Sequence, residues 1–149
     1  METSFLMVKP DGVQRGLVGE VISRIEERGL RIVALKMMLI DRSKAEEHYA
    51  EHEGKDFYGP LLDYICSGPV VVMAVKGDSA ISVIRDMVGA TDPQDSNPGT
   101  IRGDYGLDVA RNIVHAADSK ESAKRELDIF FEKREYQEYS RVEETWIYE

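Results

Sequence analysis

Apolar runs alternate along the chain with stretches in which apolar residues recur every three or four positions. Runs rich in β-branched residues and bounded by turn-forming residues are typical of buried strands, whereas the longer spacing is typical of amphipathic helices. The runs predict strands at residues 3–9, 30–41, 70–76 and 109–114, the last interrupted by polar residues.

The predicted helices follow from apolar spacing and from capping signals. Gly29 is placed to end the first of them. Ser43 with Glu46, and Asp118 with Glu121, match the pattern in which a short polar side chain caps a helix and Glu follows three residues later. The helices predicted in this way are residues 18–28, 45–51, 59–67, 80–88 and 118–131.

Turn-forming residues separate these elements. Residues 9–12 (Lys-Pro-Asp-Gly) predict a turn, because Pro fixes one backbone dihedral and Gly permits another. Residues 89–106 form a long Gly/Pro/Asp-rich loop, and loops of that length are usually functional. Residues 136–149 are predicted to be irregular. The order of elements predicts one domain over residues 1–149, of the α+β class: a ferredoxin-like βαββαβ fold with a four-stranded antiparallel sheet covered by helices.

Composition narrows the class of protein. The 149 residues carry 19 basic and 28 acidic side chains, a net charge of −9, with 42% hydrophobic and 32% charged residues. These values are typical of a globular domain. The negative charge argues against nucleic acid as a partner, since such binding depends on neutralising phosphates. The negative net charge is still compatible with a small anionic ligand that a few local cations bind.

Cysteine content and hydropathy predict the compartment. The single cysteine, Cys66, excludes an intramolecular disulfide and a multi-cysteine zinc cluster. The longest apolar run, residues 70–75, is far shorter than a membrane helix requires, and the first residues lack a signal-peptide pattern. We therefore expect a protein of a reducing compartment, the cytoplasm, with no membrane partner.

His115 is the first candidate for chemistry. It closes an apolar segment and precedes a predicted helix, where a ligand reaches it, and neutral imidazole is a good nucleophile near neutral pH. A histidine beside Ile113 and Val114 also fits a packed structural role. Lys9, Arg85 and Arg102 lie near strand ends or in the long loop, where they would suit phosphate oxygens. Solvated surface cations are the alternative.

Residues 48–52 (His-Tyr-Ala-Glu-His) match the H-x-x-E-H pattern of inverted zinc peptidases. His48 and His52 would then ligate zinc, with Glu51 as base, but no residue stands out as the third ligand. The chain has no Walker loop and no Gly-x-Gly-x-x-Gly motif. A nucleotide site would therefore require another scaffold.

Four separated motifs together resemble the nucleoside diphosphate kinase family. They are residues 8–13 (Val-Lys-Pro-Asp-Gly-Val), 97–104 (Asn-Pro-Gly-Thr-Ile-Arg-Gly-Asp), 112–115 with 118–119 (Asn-Ile-Val-His and Asp-Ser), and 146–149 (Trp-Ile-Tyr-Glu). The resemblance covers essentially the full chain. It implies a ping-pong reaction in which a nucleoside triphosphate, typically ATP, phosphorylates His115 and a nucleoside diphosphate then takes the phosphate.

The same resemblance implies roles for further residues. Glu126 would orient the imidazole, and Asp118 would lie near Mg²⁺. Asn112 and Lys9 would reach the ribose, while Phe57 and Val109 would enclose the base. The residues implied to contact phosphates are Lys9, Tyr49, Arg85, Thr91 and Arg102. Stacking without hydrogen bonds to base edges predicts broad base tolerance. The family also implies a homohexamer or a homotetramer.

The chain departs from the family pattern beside His115. Ala117 stands where the family usually has Ser, and Ala116 where it often has Gly. The missing hydroxyl is expected to remove a hydrogen bond near Glu126, at a cost of roughly three- to tenfold in rate. The alternative function is a non-catalytic nucleotide-binding module, which needs no nucleophile. A structural scaffold is a third hypothesis.

Overall fold

The computed structural model describes residues 1–149 and contains one sheet of four strands. The strands are β1 (Glu2–Val8), β2 (Arg31–Met38), β3 (Val70–Gly77) and β4 (Val114–Ala116). Their order across the sheet is β2-β3-β1-β4, and every neighbouring pair is antiparallel. The sheet and its helices confirm the predicted α+β, ferredoxin-like class.

Seven α-helices and four 3₁₀ turns complete the chain. The α-helices are α1 (Pro10–Gln14), α2 (Val18–Glu27), α3 (Arg42–His48), α4 (Tyr58–Ile65), α5 (Ala80–Val88), α6 (Ile101–Tyr105) and α7 (Lys120–Phe130). The 3₁₀ turns are Ala50–His52, Pro93–Asp95, Lys133–Glu135 and Val142–Trp146. None of the helices is long and apolar enough to cross a bilayer.

The two central strands are buried on both faces, which explains their almost continuous apolar sequences. Successive side chains of a strand point to opposite faces, so each strand supplies two cores. On one face, Phe5 and Met7 belong to a core shared with α3, α4 and α7. On the other, Leu6 and Val8 belong to a core shared with α2 and α5. Each buried large aliphatic side chain contributes about 1.5–3 kcal/mol.

Three local predictions were wrong near helix starts. Residues 9–12 are not a plain turn, because Pro10 is the first residue of α1, where its missing N–H costs nothing. Helix α3 begins earlier than the Ser43 signal predicts, since the Asp41 side chain accepts from the backbone of Lys44 at 2.7 Å. The cap of α7 is Ser119, not Asp118.

The predicted strand at residues 109–114 is also wrong, since only Val114 of it lies in β4. Ile113 has a φ of +74°, which a β-branched residue adopts only under constraint. An Asp11 carboxylate oxygen accepts from the Ile113 N–H at 3.0 Å and holds this conformation. The chain therefore bends at Ile113, and the extended segment begins one residue later.

The long loop has a defined shape. It contains α6, whose first turn is capped by the Thr100 hydroxyl, which accepts from the Gly103 N–H at 3.0 Å. A Cβ at Gly103 would lie only 2.0 Å from the Asn97 carbonyl oxygen, so this close approach requires glycine. The loop is thus folded onto itself and places Arg102 beneath β4.

Candidate active site

His115 lies in a cleft at the edge strand of the sheet. It pairs across the strands with Met7, so its side chain shares the face that α3 and α7 cover. The imidazole is 28% exposed and opens to solvent between these helices. Other residues that line the cleft are Tyr49, Glu51, His52, Asp118, Ser122 and Arg125.

A buried carboxylate orients the imidazole. Glu126, on α7, is 2% exposed, and its Oε1 accepts a hydrogen bond from His115 Nε2. This bond fixes the Nε2–H tautomer and leaves the lone pair of Nδ1 available. Glu126 Oε2, in contrast, is buried and has no hydrogen-bond partner. Ala117, which has no hydroxyl to offer, is itself buried.

His48 forms the inner wall of the cleft. Its ring meets the His115 ring edge-on at 4.8 Å, and its Nδ1 lies 4.0 Å from Glu126 Oε1. Burial lowers the pKa of His48 well below its ordinary value, and the neighbouring His115 acts in the same direction. The sequence signals singled His48 out only as a zinc ligand, so its place beside Glu126 was missed.

The zinc-peptidase pattern does not form a site. His48 points inward to Glu126, whereas His52 lies in the next 3₁₀ turn and contacts Lys55 and Glu51 near the surface. The one group of three residues whose ligand atoms lie within 4.8 Å of one another is His48, His115 and Glu126. Within it, His115 and Glu126 already bond to each other directly.

A chain of hydrogen bonds holds Lys9 beside the cleft. Lys9 Nζ donates to Asn112 Oδ1, and Asn112 Nδ2 donates to the Thr91 carbonyl at 2.8 Å. Lys9 and Asn112 are buried, whereas Thr91 is exposed. Burial lowers the pKa of Lys9 to about 8, although the Asp11 carboxylate partly opposes the change. The ammonium is therefore poised to lose its charge just above neutral pH.

Two arginines donate to the main chain on either side of His115. Arg102 donates from Nε to the Asn112 carbonyl at 3.1 Å, from Nη1 to Gly89 at 3.1 Å and from Nη2 to Val114 at 2.7 Å. Arg85 donates to the Ala116 carbonyl at 3.2 Å. These bonds protect the free edge of β4 and place two positive charges near the imidazole.

Burial also alters the charge behaviour of Arg102. Its pKa falls to about 10 because the group is buried and because Arg85 is close. A guanidinium has five N–H groups, so the three carbonyl bonds leave two for another ligand. The residue is thus both part of the structure and a source of positive charge at the cleft.

The bend at Ile113 depends on a residue that sequence reasoning did not single out. Asp11 accepts from the Ile113 N–H through one carboxylate oxygen and from the Tyr64 hydroxyl through the other. Burial and this bond raise the pKa of Tyr64. Because a strained backbone residue costs about 1–3 kcal/mol, the Asp11 contacts must offset that cost.

The remaining predicted residues differ in burial and in their contacts. Tyr49 is buried, and its ring packs against His48 at 4.5 Å. Phe57 is 49% exposed and meets the His52 ring at 5.3 Å, while Val109 is 51% exposed in the bend before Asn112. Asp118 is exposed, lines the cleft beside His115 and makes no side-chain hydrogen bond. Its carboxylate is free to hold a cation.

A histidine that opens to a cleft and is oriented by a buried carboxylate, with two arginines bonded to the main chain on either side of it, is the arrangement of a phosphotransferase that uses histidine. Residues 2–136 match the family model described as nucleoside diphosphate kinase. The chain therefore belongs to the nucleoside diphosphate kinase family, and phosphoryl transfer between nucleotides is its activity.

Relatives and solved structures agree over the whole chain. A nucleoside diphosphate kinase of Archaeoglobus fulgidus is 60% identical over 149 residues, which are 100% of this chain and 99% of the relative. One of Carboxydothermus hydrogenoformans is 56% identical, with 100% of both chains covered. The structure of the Halobacterium salinarum enzyme in complex with CDP has a TM-score of 0.97 at 47% identity, covering 99% of each chain.

Proposed function

We propose that the chain transfers phosphate through a phosphohistidine on Nδ1 of His115. The observation that carries the proposal is the Glu126 bond to Nε2, which leaves Nδ1 as the free nitrogen in the cleft. In the first half-reaction, Nδ1 attacks the γ-phosphorus of ATP, an N–P bond forms, and the bond to the β–γ bridging oxygen breaks to release ADP. In the second, a terminal phosphate oxygen of another nucleoside diphosphate attacks phosphorus, and the N–P bond breaks.

The balance of protons supports these two half-reactions. The attacking Nδ1 uses its lone pair and loses no proton, so no separate base is required. Phosphorylation places positive charge on the ring, and the Glu126 carboxylate bonded to Nε2–H stabilises that charge. Glu126 is therefore proposed to orient the ring and to balance its charge, as the buried carboxylate does in other histidine-based sites.

Fixed cations would stabilise the phosphoryl group in transit. Such a group spreads negative charge over its oxygens, and positioned cations lower the barrier most. Lys9 and Arg85, which bond to Asn112 and to the Ala116 carbonyl near His115, would supply charge, and Arg102 would supply its two remaining N–H groups. Tyr49 and Thr91 are proposed to add hydroxyl contacts to the phosphates.

The mouth of the cleft would hold the nucleoside. Asn112 and Lys9 are proposed to reach the ribose hydroxyls, and the exposed faces of Phe57 and Val109 to enclose the base. Aromatic and aliphatic surfaces accept any base by its π-face, so broad base tolerance is expected. The CDP named for the Halobacterium salinarum complex is a ligand of this chemical class.

Mg²⁺ is the proposed cofactor, and the acidic side of the cleft fits it. Asp118 and Glu51 line the cleft with carboxylate oxygens, which are the ligands that Mg²⁺ prefers together with substrate phosphates and water. When bound, Mg²⁺ neutralises part of the charge on the phosphates. Asp118 would hold it, directly or through water, and Glu51 would assist.

Asp118→Asn is expected to raise the Mg²⁺ concentration needed for half-maximal rate by about tenfold. The physical reason is the loss of one negative charge beside the phosphates, worth on the order of 1–2 kcal/mol at a partly exposed site. The measurement is the rate as a function of free Mg²⁺. The control is Asp128→Asn, which removes an exposed carboxylate that pairs with Lys124; it should leave the Mg²⁺ requirement unchanged. An unchanged Mg²⁺ requirement would remove Asp118 from the site.

The alkaline limb of the pH profile is expected to report Lys9. Its pKa is lowered to about 8 by burial, so the ammonium is charged below that pH and neutral above it. Phosphate binding requires the charged form, and kcat/KM should therefore fall as pH rises through about 8. Lys9→Met should lower kcat/KM at neutral pH and lose this limb. The control is Lys124→Met, at an exposed site, which should keep the alkaline fall in kcat/KM. A wild-type kcat/KM that does not fall at high pH would contradict the assignment to Lys9.

Two-substrate kinetics test the proposed ping-pong mechanism against direct transfer in a ternary complex. In a ping-pong enzyme, double-reciprocal plots of rate against ATP concentration are parallel lines when the diphosphate is fixed at each of several concentrations. Intersecting lines would indicate direct transfer in a ternary complex.

We further propose that residues 1–149 act as one domain that assembles into a homohexamer or homotetramer. The last residues support a single unit because they bind β2: the Gln137 N–H donates to Val33 at 2.8 Å, and the Tyr139 hydroxyl donates to Ile32 at 2.5 Å. Strand β2 is an edge strand, with Leu35 and Met37 46% and 61% exposed, and Leu39, the residue after it, is 67% exposed. Exposed apolar edges are normally covered by a partner.

Sedimentation velocity checks the assembly. A mass of four or six times the 16.8 kDa chain is expected, and a monomer at micromolar concentration would contradict it. The proposed location is the cytoplasm, because Cys66 is a free thiol. Cell fractionation tests this, and recovery from an oxidising compartment would contradict it.

A further inference from the structure

The Glu126 carboxylate has one oxygen without a hydrogen bond. One carboxylate oxygen is bonded to His115 Nε2, but the other, Oε2, is buried and without a partner. A buried acceptor without a hydrogen bond is unfavourable, and more so when it carries a charge. The carboxylate therefore has room for one more donor at this buried position.

His48 lies beside this carboxylate and also has unpaired nitrogens. Its Nδ1 lies 4.0 Å from Glu126 Oε1, and both of its nitrogens are buried without hydrogen bonds. The His48 imidazole therefore lies against the Glu126 carboxylate, nearest to the oxygen that His115 also contacts. A hydrogen bond requires an approach of about 1 Å, which a small side-chain rotation supplies.

The surroundings of His48 would suit an apolar side chain better than an imidazole. Phe5, Tyr49 and Phe130 enclose the ring at centroid distances of 6.2, 4.5 and 5.3 Å. Packing alone gives no reason for two polar nitrogens in this pocket, because their burial is unfavourable unless they are bonded. A polar partner is therefore part of its role.

The backbone of His48 is anchored to the helix that carries Glu126. Arg125, the neighbour of Glu126 on α7, donates to the carbonyls of Glu47 and His48 at 3.2 and 3.4 Å. Lys44, at the other end of α3, donates to the Ile129 carbonyl at 2.8 Å. The two helices are thus tied at both ends, which keeps His48 and Glu126 at a fixed separation.

We propose that His48 is a positioning residue, whose Nδ1–H is the second donor to the Glu126 carboxylate and holds that carboxylate on Nε2 of His115. The inference rests on the proposed phosphorylation of His115. His48 acts through Glu126 and touches no phosphate. A carboxylate held by two donors keeps one orientation, and the His115 ring keeps Nδ1 directed at the incoming phosphorus.

The kinetic test uses His48→Phe, which fills the apolar pocket and removes the donor. The expected result is a fall in kcat of about ten- to hundredfold, the usual worth of one hydrogen bond to a charged group. KM for the diphosphate should stay within about twofold, because no phosphate contact is lost. His48→Asn, which keeps an amide N–H near the place of Nδ1, should retain most of the rate.

Rescue by a second substitution separates positioning from packing. The family resemblance implies that a hydroxyl at position 117 would lie near Glu126, so Ala117→Ser should restore His48→Phe to within about threefold of the wild-type kcat. In the wild-type background, the same substitution should leave kcat unchanged or raise it slightly. The control is His52→Phe, whose effect should be the same with and without Ala117→Ser. Equal effects of Ala117→Ser in the wild-type and His48→Phe backgrounds would overturn the inference.

Nitrogen NMR of histidine-labelled wild-type protein tests the donor without any variant. We expect His48 to be a neutral imidazole with its proton on Nδ1, and its Nδ1 signal to shift when His115 is phosphorylated. A proton on Nε2 in both states would overturn the proposal, even if His48→Phe did not fold. If the wild type formed no phosphohistidine, the proposed function itself would fail. If His48→Phe formed it at the wild-type rate, only this inference would fail.

Discussion

His115→Ala is expected to reduce phosphoryl transfer to below roughly one ten-thousandth of the wild-type rate, because it removes the proposed nucleophile. Losing the attacking group of a covalent mechanism has an effect of this order or larger. Nucleotide binding should survive, since Lys9, Arg85 and Arg102 are held by bonds that do not involve the imidazole. The measurements are the transfer rate from ATP to several diphosphates and the affinity for ADP.

His52→Ala is the matched control for this loss. His52 is the other histidine that opens to the cleft, and its ring contacts Phe57 near the mouth, away from Glu126. The control should still form phosphoenzyme. Substantial transfer by His115→Ala would contradict the covalent mechanism and favour direct transfer between bound nucleotides. Loss of ADP affinity in the same variant would show that the imidazole also shapes the binding site.

Arg102→Ala is expected to have the second largest effect, because it harms both stability and catalysis. The guanidinium donates to three main-chain carbonyls, at Gly89, Asn112 and Val114. Removing it leaves these acceptors short of partners, at a cost of about 2–4 kcal/mol, or a fall in Tm of roughly 10 °C. The loss of a preorganised cation should also lower kcat by at least about a hundredfold.

Arg102→Lys distinguishes the two contributions. Lysine keeps a point charge but has no fork, so it reaches one carbonyl and recovers only part of the stability. The control is Arg28→Ala, at an exposed position at the end of α2, which should change stability by no more than about 0.5 kcal/mol. The measurements are thermal unfolding and kcat under saturating substrates. A stable and fully active Arg102→Ala protein would show that Arg102 is neither a structural nor a catalytic cation.

Most of the fold follows from local sequence patterns. Strands β1 and β3 contain long apolar runs, residues 5–8 and 70–75, because they are central and buried on both faces, and α5 coincides with its predicted bounds. The start of strand β4 could not be predicted from the local pattern, because it is set by Asp11, a residue about a hundred positions earlier in the chain. No local pattern encodes a distant carboxylate that stabilises a positive φ at Ile113.

The site was predictable to the extent that its residues lie in motifs. His115, Lys9, Arg102 and Asn112 lie in three separated motifs, and the structure brings them to one edge of the sheet. The role of Arg102 as a main-chain partner was not predictable, because the carbonyls it bonds carry no residue identity. His48 was misread for a similar reason: its pattern with His52 is local, whereas its contacts with Glu126 and Phe130 depend on how α3 packs on α7.

Isolation of the phosphoenzyme tests the central claim most directly. The protein is mixed with γ-labelled ATP and Mg²⁺, separated from nucleotide, and examined for bound phosphate. The account predicts acid-labile, alkali-stable phosphate on Nδ1 of His115, which passes to added nucleoside diphosphates and is absent from His115→Ala. Nucleotide binding without bound phosphate, or phosphate on any other residue, would contradict it.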